Sequence, residues 1–242
     1  MGVSVLEARD VVREFRGGDG ALLRVLDGVS LTVEAGEMVA VVGASGAGKS
    51  TLLHVLGALD RPTRGEVRVG GESLAGRSDE ALAAVRNRAI GFVFQFHHLL
   101  REFSALENVV VPQRILGVAP AEAAARARHL LDLVGLGARA HHRPAALSGG
   151  EQQRTAVARA LAVGPSVLLA DEPSGNLDHA NAERLHDLFA DVAHRHGTGM
   201  VVVTHNRSLA ARADRVLRLE DGRLVPAELA AGETVDAAGV VA

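Results

Sequence analysis

The run Gly43-Ala44-Ser45-Gly46-Ala47-Gly48-Lys49-Ser50-Thr51 fits G-x-x-x-x-G-K-[ST], a spacing suited to holding phosphate. The apolar stretch Met38–Val42 before it reads as a strand and residues 50–59 after it as a helix, which is the context the pattern requires. Glycines let the backbone wrap closely round the phosphates, so that N–H groups and the helix N-terminus face the anion. Lys49 brings a compact positive charge to the β- and γ-phosphates, and the Ser50 hydroxyl would ligate Mg²⁺. Of the 26 basic residues, 25 are arginine and only Lys49 is lysine. A planar guanidinium does not replace a small ammonium inside so tight a loop. At an effective dielectric near 20, that ammonium about 4 Å from a phosphate charge is worth roughly 4 kcal/mol.

Three further apolar runs end in residues that can do chemistry. Ile90–Phe94 delivers Gln95, 166–170 delivers Asp171 and Glu172, and 200–203 leads into Thr204-His205. In an open parallel sheet, ligands bind beyond the carboxyl ends of the strands, so these residues would meet around one nucleotide. Asp171 suits the carboxylate of a Mg²⁺ shell. Glu172 is placed to orient or deprotonate an attacking water, a role worth roughly 10²–10⁴ in rate. Gln95 would bring a neutral amide to the metal or that water, and His205 would hydrogen-bond the γ-phosphate. Singly, each has an ordinary reading as a solvated loop residue, and Asp-Glu before Pro173 as a turn; the convergence carries the argument. Ser148-Gly149-Gly150, before a helix expected over 151–163, is a second anion-binding end. It serves either another ligand or the nucleotide of a neighbouring copy.

The elements that must position these groups follow from pattern. Short strands are expected at 3–15, 21–29 and 30–33, broken by Gly17-Gly18-Asp19-Gly20 and Glu34-Ala35-Gly36-Glu37. Another strand and turn follow at 66–69 and 70–74, and a helix at 79–88. Ser104-Ala105-Leu106-Glu107 matches a capping box opening a helix to about residue 116, and Pro120 suits the first turn of a helix to residue 134. The region from Gln95 to Leu147 therefore lacks strands and reads as a helical insertion in an α/β core. A helix at 180–196 precedes the strand at 200–203, and 214–219 with 223–225, joined by Asp221-Gly222, form a closing hairpin. The tail 227–242 is left without structure.

Composition sets bounds. At 242 residues with 48% hydrophobic content, the chain buries a substantial core in one large α/β domain or a core with an insertion. There is no cysteine, hence no disulfide or thiolate metal site. A net charge of −3, no Lys/Arg run and 2% aromatics argue against a nucleic-acid binder. The N-terminus lacks a signal-peptide pattern, and no apolar run approaches the roughly 20 residues needed to cross a bilayer. Work at a membrane would need another chain as anchor.

With these residues in hand the sequence resembles the ATPases of ABC transporters over nearly its whole length. Residues 147–153 (LSGGEQQ) match the family's signature motif, 167–172 its Walker B strand, Gln95 its Q-loop, 174–178 (SGNLD) its D-loop and His205 its switch histidine. The resemblance implies a P-loop NTPase (RecA-like) α/β core with an N-terminal antiparallel β subdomain and an inserted helical subdomain at about 96–160. It implies ATP and Mg²⁺ as ligands, with Mg²⁺ on Ser50, Gln95 and Asp171. Two copies would sandwich two nucleotides, Leu147, Ser148, Gly149, Gly150 and Glu151 of one facing ATP on Lys49 of the other. Membrane permease subunits would dock near Gln95 and the helical region, leaving this chain peripheral at the cytoplasmic face of the inner membrane. Within the family, the tracts at 92–100 and 103–109, and His142-Arg143-Pro144, are similar to ATPases of lipoprotein-releasing complexes, though macrolide exporters share much of the first two. Rival readings are such an exporter's ATPase, a division-associated one, or a soluble non-transport regulator. The last usually fuses two cassettes or carries basic or coiled-coil arms, and exporters of the macrolide type usually carry their membrane segment on the same chain; neither follows here. Phe15 stands where the family usually stacks a tyrosine on adenine, Ser174 replaces the commoner Thr, and Asn206 follows His205 where Asp is usual. The pairs His97-His98 and His141-His142 read as surface or interface residues rather than a metal site.

Overall fold

The computed structural model describes residues 4–18 and 20–228. Two sheets organise it. In the first, β1 (Ser4–Arg16), β2 (Leu22–Glu34), β4 (Arg64–Val69) and β5 (Glu72–Ser73) run antiparallel in the order β2-β1-β4-β5. In the second, β3 (Met38–Val42), β6 (Ile90–Phe94), β7 (Val167–Asp171), β8 (Gly199–Val203), β9 (Arg215–Glu220) and β10 (Arg223–Pro226) take the order β10-β9-β3-β8-β7-β6. There β9, β3, β8, β7 and β6 are parallel and β10 closes an antiparallel hairpin with β9.

The parallel strands are near-continuous apolar runs because both of their faces are covered. Alternation divides them between two cores. Val39, Val41, Val167, Leu169, Val201 and Val203 pack with α1 (Lys49–Leu56) and the antiparallel sheet. Met38, Leu168, Ala170, Met200 and Val202 pack on the other side with helices that include α5 (Gly149–Leu161) and α6 (His179–His196). In α6 the buried residues Ala182, Leu185, Phe189, Val192 and Ala193 follow helical spacing and turn one stripe to that core.

Between β6 and β7 the chain is helical. After α2 (Asp79–Ala89), which precedes β6, come α3 (Ala105–Ile115), α4 (Pro120–Leu133), 3₁₀ turns at Gly137–Arg139 and Pro144–Ala146, and α5. The capping box at Ser104 forms as expected: its hydroxyl accepts from the Glu107 N–H at 3.2 Å and the Glu107 carboxylate accepts from the Ser104 N–H at 2.7 Å. These two bonds satisfy donors that the helix start would otherwise leave orphaned.

The expected break between strands at 29 and 30 does not occur. β2 runs unbroken because Gly28, at φ 73°, absorbs the irregularity as a bulge: the pairing steps from Val11↔Val29 to Arg13↔Leu26, one residue more on β2 than on β1. The short α7 (Arg207–Ala210) and the 3₁₀ turns were not expected. Residue 3 of the first expected strand, Asp19 of the first loop and 229–242 of the tail lie outside the described residues. Among those described, no helix is long and apolar enough to cross a membrane.

Candidate functional site

The register of the parallel sheet brings the polar strand ends level. Asp171 pairs with Val203 on one side and Phe94 on the other, and Val41 also pairs with Val203. The residues that follow, Gln95, Glu172, Thr204 and the loop from Gly43, therefore emerge at one edge.

The loop after β3 needs glycine at two points. Gly43 has φ 154° and a Cβ there would lie 2.6 Å from the Leu219 carbonyl oxygen; Gly48 has φ 98° and its Cβ would lie 2.6 Å from a Val25 methyl. Lys49 Nζ donates to the carbonyl oxygens of Gly43 at 2.8 Å and Ala44 at 2.9 Å, which folds the ammonium into the loop. Ala44, Ser45, Gly46 and Ser50 are exposed, while Ala47 and Thr51 are half-buried. The first helix, α1, starts at Gly48 with no side-chain cap and no acidic residue in its first turn. The first turn of α1 therefore carries no carboxylate of its own to neutralise that positive helix end, which favours an external anion.

Glu172 is the most constrained polar residue of the edge. Its backbone is left-handed at φ 43°, its N–H donates to the Val203 carbonyl at 2.9 Å, and its side chain is only 17% exposed. The carboxylate accepts from the Thr204 hydroxyl at 3.3 Å and the His205 N–H at 3.2 Å, and lies 2.9 Å from His205 Nδ1. These contacts fix which oxygen lone pairs remain for a water. A neutral His205 ring carries a proton on one nitrogen only; a ring protonated on both sets Nδ1 beside Glu172 and presents Nε2–H, which can donate to phosphate. His205 is 60% exposed, so Nε2 is reachable.

Gln95 is brought to the edge but its amide turns sideways, Nε2 donating to Asn176 Oδ1 at 3.3 Å while Asn176 Nδ2 donates to the Gln95 carbonyl at 3.2 Å. Phe15 is 38% exposed, and the Arg13 guanidinium lies 4.3 Å from its ring centroid, held by a 2.7 Å bond to Asp60. One ring face carries the cation and the other is left for a planar ligand.

The Leu147–Glu151 stretch behaves differently from the expectation of a bare anion-binding end. Ser148 caps α5 in a second capping box, its hydroxyl accepting from the Glu151 N–H at 3.3 Å and the Glu151 carboxylate accepting from the Ser148 N–H at 2.8 Å. That N–H is the main reason the Glu151 carboxyl is held below the usual range. The S-x-x-E spacing that marks Ser104 was there to be read at Ser148 too. Leu147 and Gly150 are buried, a Cβ on Gly150 lying 2.6 Å from Asn181 Cγ, whereas Ser148 and Gly149 are exposed. Among the described residues no hydrogen bond joins this stretch to 43–51.

Sequence reasoning named three further positions without the partners they hold: Thr204 on Glu172, Asn176 on Gln95, and Ser174, whose hydroxyl lies 3.0 Å from His186 Nε2. Of the paired histidines, His98 packs edge-on against Phe94 and His142 Nε2 lies 3.3 Å from Arg139. Among the described residues no group of three or more His, Cys, Asp or Glu can hold a metal. The oxygens of Ser50, Asp171 and Gln95 nevertheless suit a hard Mg²⁺ ion, which characteristically uses one or two carboxylates and completes its shell with water and substrate phosphate.

Comparison with known proteins shows the family. The family model described as "ABC transporter" matches residues 26–175. The lipoprotein-releasing system ATP-binding protein LolD of Geobacter metallireducens is 54% identical over 222 residues, covering 92% of this chain and 98% of its own. That of Ruegeria pomeroyi is 54% identical over 224 residues, covering 93% and 98%. Among solved structures, a dimeric bacterial ABC transporter cassette, MJ0796, superposes with a TM-score of 0.83 at 37% identity over 90% of this chain and 96% of that one. A dimeric post-hydrolysis form of MJ0796 bound to ADP and Pi matches with the same score at 36% identity and the same coverage.

Proposed function

Because this chain belongs to the ABC transporter family and is an ATP-hydrolysing cassette of it, we propose that it powers the release of lipoproteins from the inner membrane. The lipoprotein assignment is supported by relatives named LolD that align over more than nine-tenths of the chain. For hydrolysis the observation that carries the reading is Glu172, its carboxylate 2.9 Å from His205 Nδ1, one residue beyond Asp171 and level with the loop that holds Lys49.

ATP lies with its phosphates along Gly43, Ala44, Ser45, Gly46, Ala47, Gly48, Lys49, Ser50 and Thr51, facing the uncapped start of α1, and its adenine on the open face of Phe15. Ser50, Asp171 and Gln95 would hold Mg²⁺, which would supply positive charge where negative charge builds up on the phosphates. Glu172 accepts a proton from water as the water oxygen bonds to the γ-phosphorus and the bond to the β,γ-bridging oxygen breaks, giving ADP and phosphate. Thr204 and the His205 N–H aim the carboxylate. The His205 ring, when protonated, spans from Glu172 to the γ-phosphate. Leu147, Ser148, Gly149, Gly150 and Glu151 of a second copy complete the site, so ATP closes a dimer and hydrolysis reopens it. We take 96–160 as the helical subdomain that, with Gln95, passes this movement to permease subunits of the LolC/LolE kind. The chain touches the membrane only through them, at its cytoplasmic face, and has no nucleic-acid partner.

Purification from native membranes in mild detergent tests the assignment. The expected preparation holds two copies of this chain with two different permease chains and bound lipoprotein. A single exporter-like permease, or no membrane protein, would overturn the lipoprotein role while leaving the ATPase chemistry in place.

A further inference from the structure

Behind the catalytic edge, α6 carries a histidine on its apolar stripe. His186 is fully buried between Leu185 and the Phe189 turn, where helical spacing calls for a hydrophobic side chain. Burying an imidazole there is costly unless it is hydrogen-bonded. Its Nε2 lies 3.0 Å from the hydroxyl of Ser174, itself 5% exposed, and its Nδ1 is buried with no hydrogen-bond partner among the described residues, 3.4 Å from a Glu183 oxygen. The nearby carboxylate favours the tautomer with the proton on Nδ1, leaving Nε2 to accept from the Ser174 hydroxyl.

Ser174 belongs to the turn that follows Glu172. Gly175 N–H donates to the Glu172 carbonyl at 3.0 Å and Leu177 N–H to the Ser174 carbonyl at 3.1 Å. A left-handed non-glycine residue such as Glu172 is strained and persists only where surrounding structure over-determines it. The same face of α6 fixes the other half of the site. Glu183 accepts from the Ser208 hydroxyl at 2.7 Å and from Arg212 at 2.8 Å, and these donors hold its carboxyl down at about 2. Ser208 lies in α7, which Asn206 caps directly after His205, through a 3.1 Å bond from Leu209 N–H.

We propose that His186 is a positioning residue for hydrolysis: through Ser174 it anchors the turn that keeps Glu172 left-handed, with its carboxylate against Thr204 and His205. It touches neither ATP nor water. The inference rests on the proposed role of Glu172 and names what holds that residue in place.

The test is steady-state ATP hydrolysis by the full chain carrying His186→Leu, His186→Gln, Ser174→Ala or the double change His186→Leu/Ser174→Ala, with Glu172→Gln as reference. Removing the hydrogen bond from either side should lower kcat about tenfold with KM for ATP changed less than twofold, since a misplacement of about 1 Å can cost far more than tenfold in rate. The double variant should be no slower than the slower single one, and His186→Gln, whose amide oxygen reaches the place of Nε2, should recover most of the rate. Ser174→Ala leaves α6 intact, so it remains informative if His186→Leu folds poorly. Unchanged kcat in Ser174→Ala, a matching rise in KM, or additive losses would overturn the inference while Glu172→Gln stays inactive. A wild-type rate that Glu172→Gln does not lower would overturn the Glu172 assignment and this inference with it.

Discussion

Replacing Glu172 by glutamine is expected to lower ATP turnover by roughly 10²–10⁴-fold, the range that a general base supplies, with ATP affinity unchanged. The amide is nearly the size of the carboxylate and keeps one oxygen to accept from Thr204 and His205 N–H, so the loop at φ 43° has no reason to move. What is lost is the capacity to take a proton from water. Phosphate contacts are made by a different strand end, after β3, and binding should not change. Single-turnover hydrolysis and equilibrium binding of a fluorescent ATP analogue separate the two effects. Undiminished turnover would remove Glu172 from its role.

Lys49→Ala is expected to weaken ATP binding by about 10³-fold, the equivalent of roughly 4 kcal/mol for one charge about 4 Å from phosphate at intermediate dielectric. The same ammonium bonds the Gly43 and Ala44 carbonyls, so the variant also loses two contacts that shape the loop. Lys49→Arg should not restore binding: a planar five-donor group is a poor fit where glycines are forced by contacts of 2.6 Å to Leu219 and Val25. Binding measured by calorimetry with wild-type, Ala and Arg chains decides it, and micromolar affinity in Lys49→Ala would contradict the placement.

How much of this was legible in the sequence depends on how local each feature is. The strands Met38–Val42 and Ile90–Phe94 coincide with their expected bounds because both are apolar runs covered on both faces, and Ser104 announced its helix through an i, i+3 partner. The meeting of Lys49, Glu172 and His205 at one edge followed from the rule that parallel strand ends carry ligands, whereas the order of the strands rests on long-range pairing that no local pattern displays. The expected break between residues 29 and 30 of β2 fails because a bulge and a break look alike locally; only pairing with β1 tells them apart. The helix α7 is a single turn, too short for periodicity to mark. Gln95 was legible as a strand-end amide, but its partner Asn176 lies 81 residues away, and the Thr204 hydroxyl reaches Glu172 across 32. His186 stands on an apolar stripe that the sequence displays, yet its partner is a serine on another segment, which only packing reveals.

We propose that ATP is held between Lys49 of one copy and Ser148 to Gly150 of another. Sedimentation of the Glu172→Gln chain with and without ATP and Mg²⁺ tests it most directly, because that variant holds ATP without consuming it. The expected result is a monomer that becomes a dimer only when ATP is present, and a chain that stays monomeric in ATP once Lys49→Ala is added. A chain that binds ATP and remains a monomer at every protein concentration tried would contradict the shared site.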